Sequence, residues 1–388
     1  MERVVIVGGG LAAHRAAHVL RRKGHAGEVV VISDELHAPY DRPPLSKQLL
    51  AGAIGREALA LPGPEIECDW RLGQAATGLN LDAGVVYAGD APVPYDGLII
   101  ATGRRARPWP DLPALTGFHT LRTVEDAAAL AQSVTPGVRV VIVGAGFIGC
   151  EVAATLHGLG VAQITIVEMA PFPMPVTGPE VGARAAALHE SHGVALRMAS
   201  SVAGFEGADG AVSAVVLGDG ERLAADLVLL SLGSLPNTEW LAGSGLELDR
   251  GAVLCDEYTF ALGAENVAVA GDMAAFPYPL ADRPVCIEHW ATAREMGALA
   301  ATNLLAAPGE RTAFLAVPTF WSDQYDVKMK SAGLLSVADR YVVLEEDPEA
   351  GVLLVEARRG DAVVGAIGFN RPRALIDYQR QLAAELVA

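Results

Sequence analysis

One stretch constrains this chain more than any other: VVIVGGGLAAHRAA, beginning at Val4. Val4 to Val7 is a short, β-branched apolar run, the pattern of a buried strand. Gly8, Gly9 and Gly10 follow at once, and then an alanine-rich segment of helical composition. Strand, glycine turn and helix in that order are the setting a dinucleotide-binding fingerprint needs. In the spacing G-x-G-x-x-A, Gly8 permits the tight turn and Gly10 has no side chain to block a pyrophosphate. Ala13 is small enough for the helix to pack on the strand. The helix N-terminus offers free N–H groups and a positive dipole end to phosphates. One such spacing is a weak signal, and a tight turn without a ligand is its plain alternative.

Two features strengthen it. The apolar run from Val29 ends at Asp34 and Glu35, where an acid about 20 residues beyond the glycines would bind a ribose hydroxyl. The whole pattern also repeats: RVVIVGGG from Arg3 returns as RVVIVGAG from Arg139 and continues FIGCEVAATL. The second copy places Gly144, Gly146 and Gly149 in G-x-G-x-x-G spacing, and Glu168 closes the next strand-like run, ITIVE. YDGLIIATG, ending in Ala101, Thr102 and Gly103, is matched by ADLVLLSLG, ending in Gly233. A chain built from two such halves is expected to hold two dinucleotides.

Composition excludes several alternatives. With 29 basic against 46 acidic residues the net charge is −17, which argues against nonspecific nucleic-acid binding. No uninterrupted apolar run is long enough for a membrane span, and the immediate entry into a strand argues against a signal peptide. The cysteines Cys68, Cys150, Cys255 and Cys286 are scattered without a CxxC, and the histidines show no HExxH spacing. Neither an iron–sulfur centre nor a metal site is expected. A reducing, cytoplasmic location is the simplest reading.

Beyond Glu35 the segment HAPYDRPPLSKQLL, with three prolines and the Asp41–Arg42 pair, reads as a rigid, ligand-facing stretch leading into a short helix that carries Lys47. PYDRPPLSK, together with the two glycine fingerprints, resembles the FAD-containing, NADH-dependent ferredoxin reductases that serve Rieske-type oxygenases and bacterial cytochromes P450, and their rubredoxin-reductase relatives. The resemblance spans nearly the whole chain: ATG at Ala101, LRT at Leu121, GAGFIGCE at Gly144, AGD at Ala270, EHW at Glu288 and FWSDQY at Phe320. It implies an α/β fold with two Rossmann-like dinucleotide-binding domains in a glutathione-reductase-like arrangement and a smaller C-terminal α+β domain. The expected division is 1–107 with 236–311 for FAD, 108–235 for NADH, and 312–388 for the third domain. RRARPWPDLP, from Arg104, reads as a linker, and alternating runs such as YVVLE and VLLVE suggest an antiparallel sheet near the end.

The same resemblance assigns residues. The two fingerprints are too alike to choose between cofactors; the AGD motif and the Lys47 segment favour FAD at the first. Around FAD it implies Gly8, Gly10, Ala12, Ala13, Asp34, Glu35, Arg42, Lys47, Ala76, Ala101, Thr102, Gly103, Arg122, Asp272, Glu288, His289 and Trp290. Either Asp34 or Glu35 meets the ribose. On the nicotinamide side it implies Gly144, Gly146, Phe147, Ile148, Gly149, Glu151, Glu168 and Gly233. Lys47 and Glu151 form a flavin-tuning pair. Arg122 is a candidate phosphate contact or a surface arginine; Asp272 a flavin ligand, a helix N-cap in a strand-to-helix turn, or both. His289 is a flavin neighbour or a structural histidine, and Trp321 flanks the flavin or lies in the core.

Disulfide reductases of this architecture carry a redox thiol where this chain has PPLSK, so electrons must leave the flavin directly. The expected activity is hydride transfer from NADH to FAD, followed by single-electron delivery to a small iron–sulfur carrier, a [2Fe–2S] ferredoxin or rubredoxin. The protein is expected to be a monomer or weak homodimer. An NADH oxidase or quinone-type reductase, or a non-enzymatic NADH-sensing flavoprotein, are the rival readings. Lys328 and Lys330 after FWSDQY, with Arg371 and Arg373 in NRPR, are expected to form a positive docking patch. Glu168 accepts hydrogen bonds from a ribose 2′-hydroxyl and repels a 2′-phosphate, and Met169, Ala170 and Pro171 supply no arginine to reverse that choice. NADH is therefore expected to exceed NADPH in kcat/KM by at least about tenfold, roughly 1.4 kcal/mol; equal values for the two would refute the role given to Glu168.

Overall fold

The computed structural model describes residues 1–63 and 65–387; Pro64 and Ala388, inside the first and last expected domains, lie outside it. Each half of the repeat builds a five-stranded sheet with the same plan. In the first, the order is Val267–Val269, Gly97–Ile100, Arg3–Val7, Glu28–Ile32, Asp69–Arg71, all parallel. In the second it is Phe118–His119, Leu227–Leu230, Arg139–Val143, Gln163–Val167, Ala195–Arg197, again parallel. The central strands are buried on both faces, as their unbroken Val/Ile runs require. Helices Leu11–Arg22 and Phe147–Gly158 start straight from the glycine turns.

In the first sheet, the carboxyl ends of four neighbouring strands deliver the sequence motifs to one edge. Arg3–Val7 ends at Gly8, Gly97–Ile100 at Ala101, Glu28–Ile32 just before Asp34 and Glu35, and Val267–Val269 just before Gly271 and Asp272. That edge is where open α/β sheets bind ligands.

The AGD turn departs from expectation. No helix follows it: Gly271 takes a left-handed φ of +88°, and Ala274–Ala275 pair as a short strand with Val253 and Leu254. Met273, Ala274, Ala275 and Phe276 are all buried in succession, which no amphipathic helix allows. Asp272 therefore caps no helix. The linker reading also needs refinement, because Arg104–Ala106 is a strand antiparallel to Ser234–Pro236. The outgoing and returning connections between the two sheets thus run side by side, each satisfying the other's backbone.

The proline-rich segment does not continue as a regular helix either. Pro43–Ser46 forms one 3₁₀ turn, and Lys47 stands at its end. Its two prolines, at the first positions of the turn, fix the backbone φ there and stiffen its start. The segment is held by side chains instead. Tyr40, Leu45, Leu50 and Leu59 are buried in the core of the second sheet, not the first. The three leucines alone represent about 5–8 kcal/mol of gross apolar burial. A strap from the first half is thereby clamped onto the second.

The C-terminal sheet is antiparallel, in the order Trp321–Gln324, Val327–Gly333, Ala362–Phe369, Val352–Arg359, Arg340–Asp347, with helix Pro372–Val387 packed beside it. Val327, Met329, Leu353, Val355 and Ile367 join the second core. Helix Trp290–Leu305 packs against Leu11–Arg22 so closely that a Cβ on Gly297 would collide with the Ala12 carbonyl. Both Ala12 and Ala293 of this contact lie at the site. Gly297→Ala is expected to cost roughly 1–3 kcal/mol by overpacking and to lower retained flavin per chain. A variant with unchanged Tm and flavin content would contradict the role given to this helix contact.

Candidate active site

A cavity of about 830 Å³ opens along the carboxyl edge of the first sheet, near the upper end of the roughly 300–1,000 Å³ usual for small-molecule sites. Its wall collects Gly8, Gly10, Ala12, Asp34, Glu35, Arg42, Lys47, Ala76, Ala101, Thr102, Gly103, Arg122, Asp272, Glu288, His289 and Trp290. From the second half it takes Phe147, Ile148 and Glu151, and from the C-terminal sheet Trp321. Buried Ala13 lies behind the wall, on the inner face of helix Leu11–Arg22. Gly144, Gly146, Gly149, Glu168 and Gly233 do not line this cavity; they form the glycine turn and strand ends of the second sheet.

Both glycine turns have the shape of a phosphate cradle. A Cβ at Gly8 would run into the Ala101 carbonyl, and one at Gly144 into that of Ser231, so each turn is compressed against the neighbouring strand. A Cβ at Gly10 or Gly146 would instead meet nothing within 4 Å. Open space at the second glycine, directly before a helix N-terminus, fits an incoming pyrophosphate. Gly149 is needed for packing, because a Cβ there would strike the Gly144 carbonyl.

The acids after the second strand behave differently. Glu35 is occupied: Tyr40 donates its hydroxyl to Oε2 at 2.6 Å, and Arg42 donates to Oε1. Arg42 also donates to the Arg122 carbonyl at 2.8 Å. Asp34 is exposed at the cavity wall. Arg122 is no loose surface arginine, since its guanidinium bonds Asp272 Oδ2 at 2.9 Å. It donates also to the Arg104 carbonyl at 2.9 Å. The AGD aspartate is thus fixed by a cation from the segment that opens the next helix, whose N-terminus is sealed by a Thr123–Asp126 capping box. In the second half, Glu168 accepts from the backbone N–H of Ala145 at 2.8 Å and of Ala170 at 2.9 Å. Its carboxylate is thereby held at the mouth of the second cradle.

Lys47 and Glu151 meet at 2.6 Å with side chains only 12% and 7% exposed. Ser46 donates to the same Glu151 oxygen, and Ser322 to the other at 2.8 Å. Both Glu151 oxygens thus accept hydrogen bonds, as a buried ion pair demands. Nearby, Trp290 donates its indole N–H to Asp41 at 2.7 Å and lies edge-on to Trp321, with ring centroids 5.9 Å apart. Trp321 is 36% exposed at the cavity rim, so it is not a core residue.

Tyr40, Asp41, Ser46, Asn237 and Phe320 also line the cavity. All but Asn237 lie inside motifs that the sequence displays, PYDRPPLSK and FWSDQY. Asn237 carries no such signal; it exchanges hydrogen bonds with Thr102, Nδ2 to the Thr102 carbonyl at 3.0 Å and hydroxyl to the Asn237 carbonyl at 2.7 Å. The expected basic patch is only partly present. Lys328 and Lys330 are exposed, and Lys330 pairs in register with Trp321. Arg373 is also exposed, whereas Arg371 forms a surface ion pair with Glu345.

A pyridine nucleotide-disulphide oxidoreductase model matches residues 2–297, and a reductase C-terminal model matches residues 319–387. The chain belongs to the pyridine nucleotide-disulphide oxidoreductase family. It is 36% identical to rhodocoxin reductase of Rhodococcus erythropolis, covering 99% of this chain and 90% of that protein. It is equally 36% identical to the ferredoxin–NAD(+) reductase component of the anthranilate 1,2-dioxygenase system of Burkholderia cepacia, over 98% and 94%. The putidaredoxin reductase in a covalent complex with putidaredoxin superposes with a TM-score of 0.92 at 34% identity, over 99% of this chain and 93% of that one. Within the family, the chain is an oxidoreductase of the ferredoxin-reductase type. No helix among the described residues is long and apolar enough to cross a membrane.

His289 stands at the cavity wall. It precedes helix Trp290–Leu305, its Nδ1 is buried without a partner among the described residues, and burial lowers its pKa to about 4. An orphaned ring nitrogen at the cavity wall fits a ligand that supplies the missing hydrogen bond. In the folded apoprotein His289 stays neutral, whereas the unfolded chain takes up a proton as pH falls below about 6.5. Stability that is full above 6.5 is therefore lost as pH falls toward 4. The Tm of the flavin-free protein is expected to drop between pH 7 and pH 5, and to drop less in His289→Asn. Equal slopes for both proteins would contradict this.

Proposed function

We propose that this protein is an NADH-dependent, FAD-containing reductase that supplies electrons one at a time to a small iron–sulfur carrier, a [2Fe–2S] ferredoxin or a rubredoxin. The carrier in turn feeds an oxygenase or a cytochrome P450. The observation that carries the reading is the cavity, with a buried Lys47–Glu151 pair at its inner wall and exposed Trp321 at its rim. Among the described residues no cysteine lines it. The end-to-end likeness to ferredoxin reductases supports the same reading.

The chain divides, on this reading, into 1–107 with 236–311 for FAD, 108–235 for NADH and 312–388 at the rim. Gly8, Gly10 and the helix behind them bind the FAD pyrophosphate; Asp34, the acid left free by Tyr40 and Arg42, takes the ribose; Asp272, steadied by Arg122, takes the ribityl end. Gly144, Gly146 and Gly149 cradle NADH, and Glu168 selects it over NADPH. Phe147, Ile148 and Glu151 close the nicotinamide side of the cavity. FAD supplies the chemistry, accepting a hydride and releasing single electrons. The protein's contribution is orientation and charge. Lys47 presents a positive group to the electron-rich edge of the ring, and Glu151 keeps that lysine in place. Neither residue needs to transfer a proton. The free thiols suit the cytoplasm, and the protein acts as a monomer or weak homodimer.

Electrons leave at the rim. Trp321, Lys328 and Lys330 share the exposed face of one strand pair, with Asp323 in register opposite Lys328, and the two lysines complement an acidic carrier within a chain of net negative charge. In stopped flow, NADH should bleach the flavin rapidly, and a [2Fe–2S] ferredoxin should restore it much faster than oxygen does; faster reoxidation by oxygen would favour an oxidase instead. Replacing Lys328 and Lys330 with alanine should raise KM for ferredoxin several-fold and flatten its salt dependence, leaving ferricyanide reduction unchanged. Unaltered ferredoxin kinetics across a salt series would remove the patch from the account.

A further inference from the structure

Behind Glu151 the structure carries a polar chain that the hydride-transfer reading does not use. Ser322 donates to Glu151 Oε1 at 2.8 Å and accepts from Gln324 Nε2 at 3.2 Å. Gln324 Oε1 meets His189 Nε2 at 3.1 Å, and His189 Nδ1 meets the Tyr325 hydroxyl at 2.9 Å. Ser322, Gln324 and His189 are fully buried. They come from two elements, the C-terminal strand Trp321–Gln324 and helix Pro179–Ser191 of the second half.

The direction of these bonds is forced. The Ser322 hydroxyl has one hydrogen, and the carboxylate takes it, so Gln324 must turn its amide NH₂ toward Ser322. Its carbonyl then faces His189, which must carry its proton on Nε2. A neutral imidazole leaves Nδ1 to accept from Tyr325, and burial does keep His189 neutral, with a pKa lowered to about 4. Every donor in the series therefore points toward Glu151. An amide in the middle relays no proton readily, which leaves orientation as the chain's effect. Outward, the end is anchored by His192, stacked on the Tyr325 ring at 3.7 Å.

From this geometry we infer that Ser322, Gln324 and His189 are positioning residues: their directed chain of hydrogen bonds fixes the Glu151 carboxylate, and through it the Lys47 ammonium, against the bound flavin. The inference rests on the reading that Lys47 lies beside the flavin ring. It makes the C-terminal sheet part of flavin tuning as well as of partner docking. Three single variants of the holoenzyme, Lys47→Met, Ser322→Ala and Gln324→Leu, separate the two claims. The readouts are the flavin midpoint potential by spectroelectrochemistry and the rate of flavin bleaching by NADH, with FAD content and Tm as controls on folding.

Lys47→Met is expected to make the potential more negative and to slow bleaching. Ser322→Ala and Gln324→Leu, with Lys47 intact, are expected to shift the potential in the same direction by less and to slow bleaching roughly tenfold, the scale of one hydrogen bond to a charged group. A purely structural role would lower Tm and leave the potential where it was. If Lys47→Met moves the potential and the other two do not, the positioning chain is overturned while the flavin-side lysine stands. If Lys47→Met itself leaves the potential unchanged, the placement of the lysine fails and the inference with it.

Discussion

The structure depends on one buried ion pair. Lys47 belongs to a strap that leaves the first sheet, and Glu151 to the first helix of the second. Removing either partner alone would strand a charge out of water, at a cost of about 3–5 kcal/mol. Three leucines and Tyr40 drive the strap into the second core, and the prolines keep it stiff. The pair and the apolar clamp reinforce each other. Burial brings the two residues together, and the pair dictates the one geometry in which that burial leaves no charge unsatisfied. Around this joint the first half brings its glycine cradle to the cavity, and the second half brings Phe147, Ile148 and Glu151.

The second constraint is direction. In both sheets parallel strands all end at one edge, so residues far apart in sequence arrive together. Gly8, Ala101 and Asp272 meet because their strands are neighbours, not because any local signal links them. The connections Arg104–Ala106 and Ser234–Pro236 pair with each other, and Arg104 reaches Glu288 at 3.2 Å from within that ribbon. The link between halves is therefore also a wall of the site.

Much of this was legible in the chain itself. The repeat of RVVIVG-x-G announces two equivalent sheets, because period and punctuation are local properties. PYDRPPLSK marks the site because charged and proline-rich residues in so short a frame are poor choices for an ordinary loop, whereas FWSDQY is marked by its resemblance to the ferredoxin reductases. What stayed hidden depends on three-dimensional neighbours. The AGD turn reads as a strand meeting a helix, but the left-handed Gly271 and the pairing of Ala274–Ala275 with a distant strand override the local pattern. Nor does the sequence show that Tyr40 and Arg42 both bond Glu35 while Asp34 stays exposed. Arg371 looks free in NRPR, and nothing local shows its surface ion pair with Glu345. Ser322 and Gln324 alternate with Trp321 and Asp323, so the inward positions of that strand are polar. That inversion of the usual alternation is a signal of a buried network, though His189, its partner in a helix far away, has none.

The account stands on the Lys47–Glu151 pair acting as a unit at the flavin. A double-mutant cycle on the rate of flavin bleaching by NADH, with Lys47→Met, Glu151→Gln and the combined variant, measures that directly. The double variant should be little slower than the worse single one, a coupling of at least about 1.5 kcal/mol. Strictly additive effects would mean that the two residues act independently, and would contradict the account at its centre.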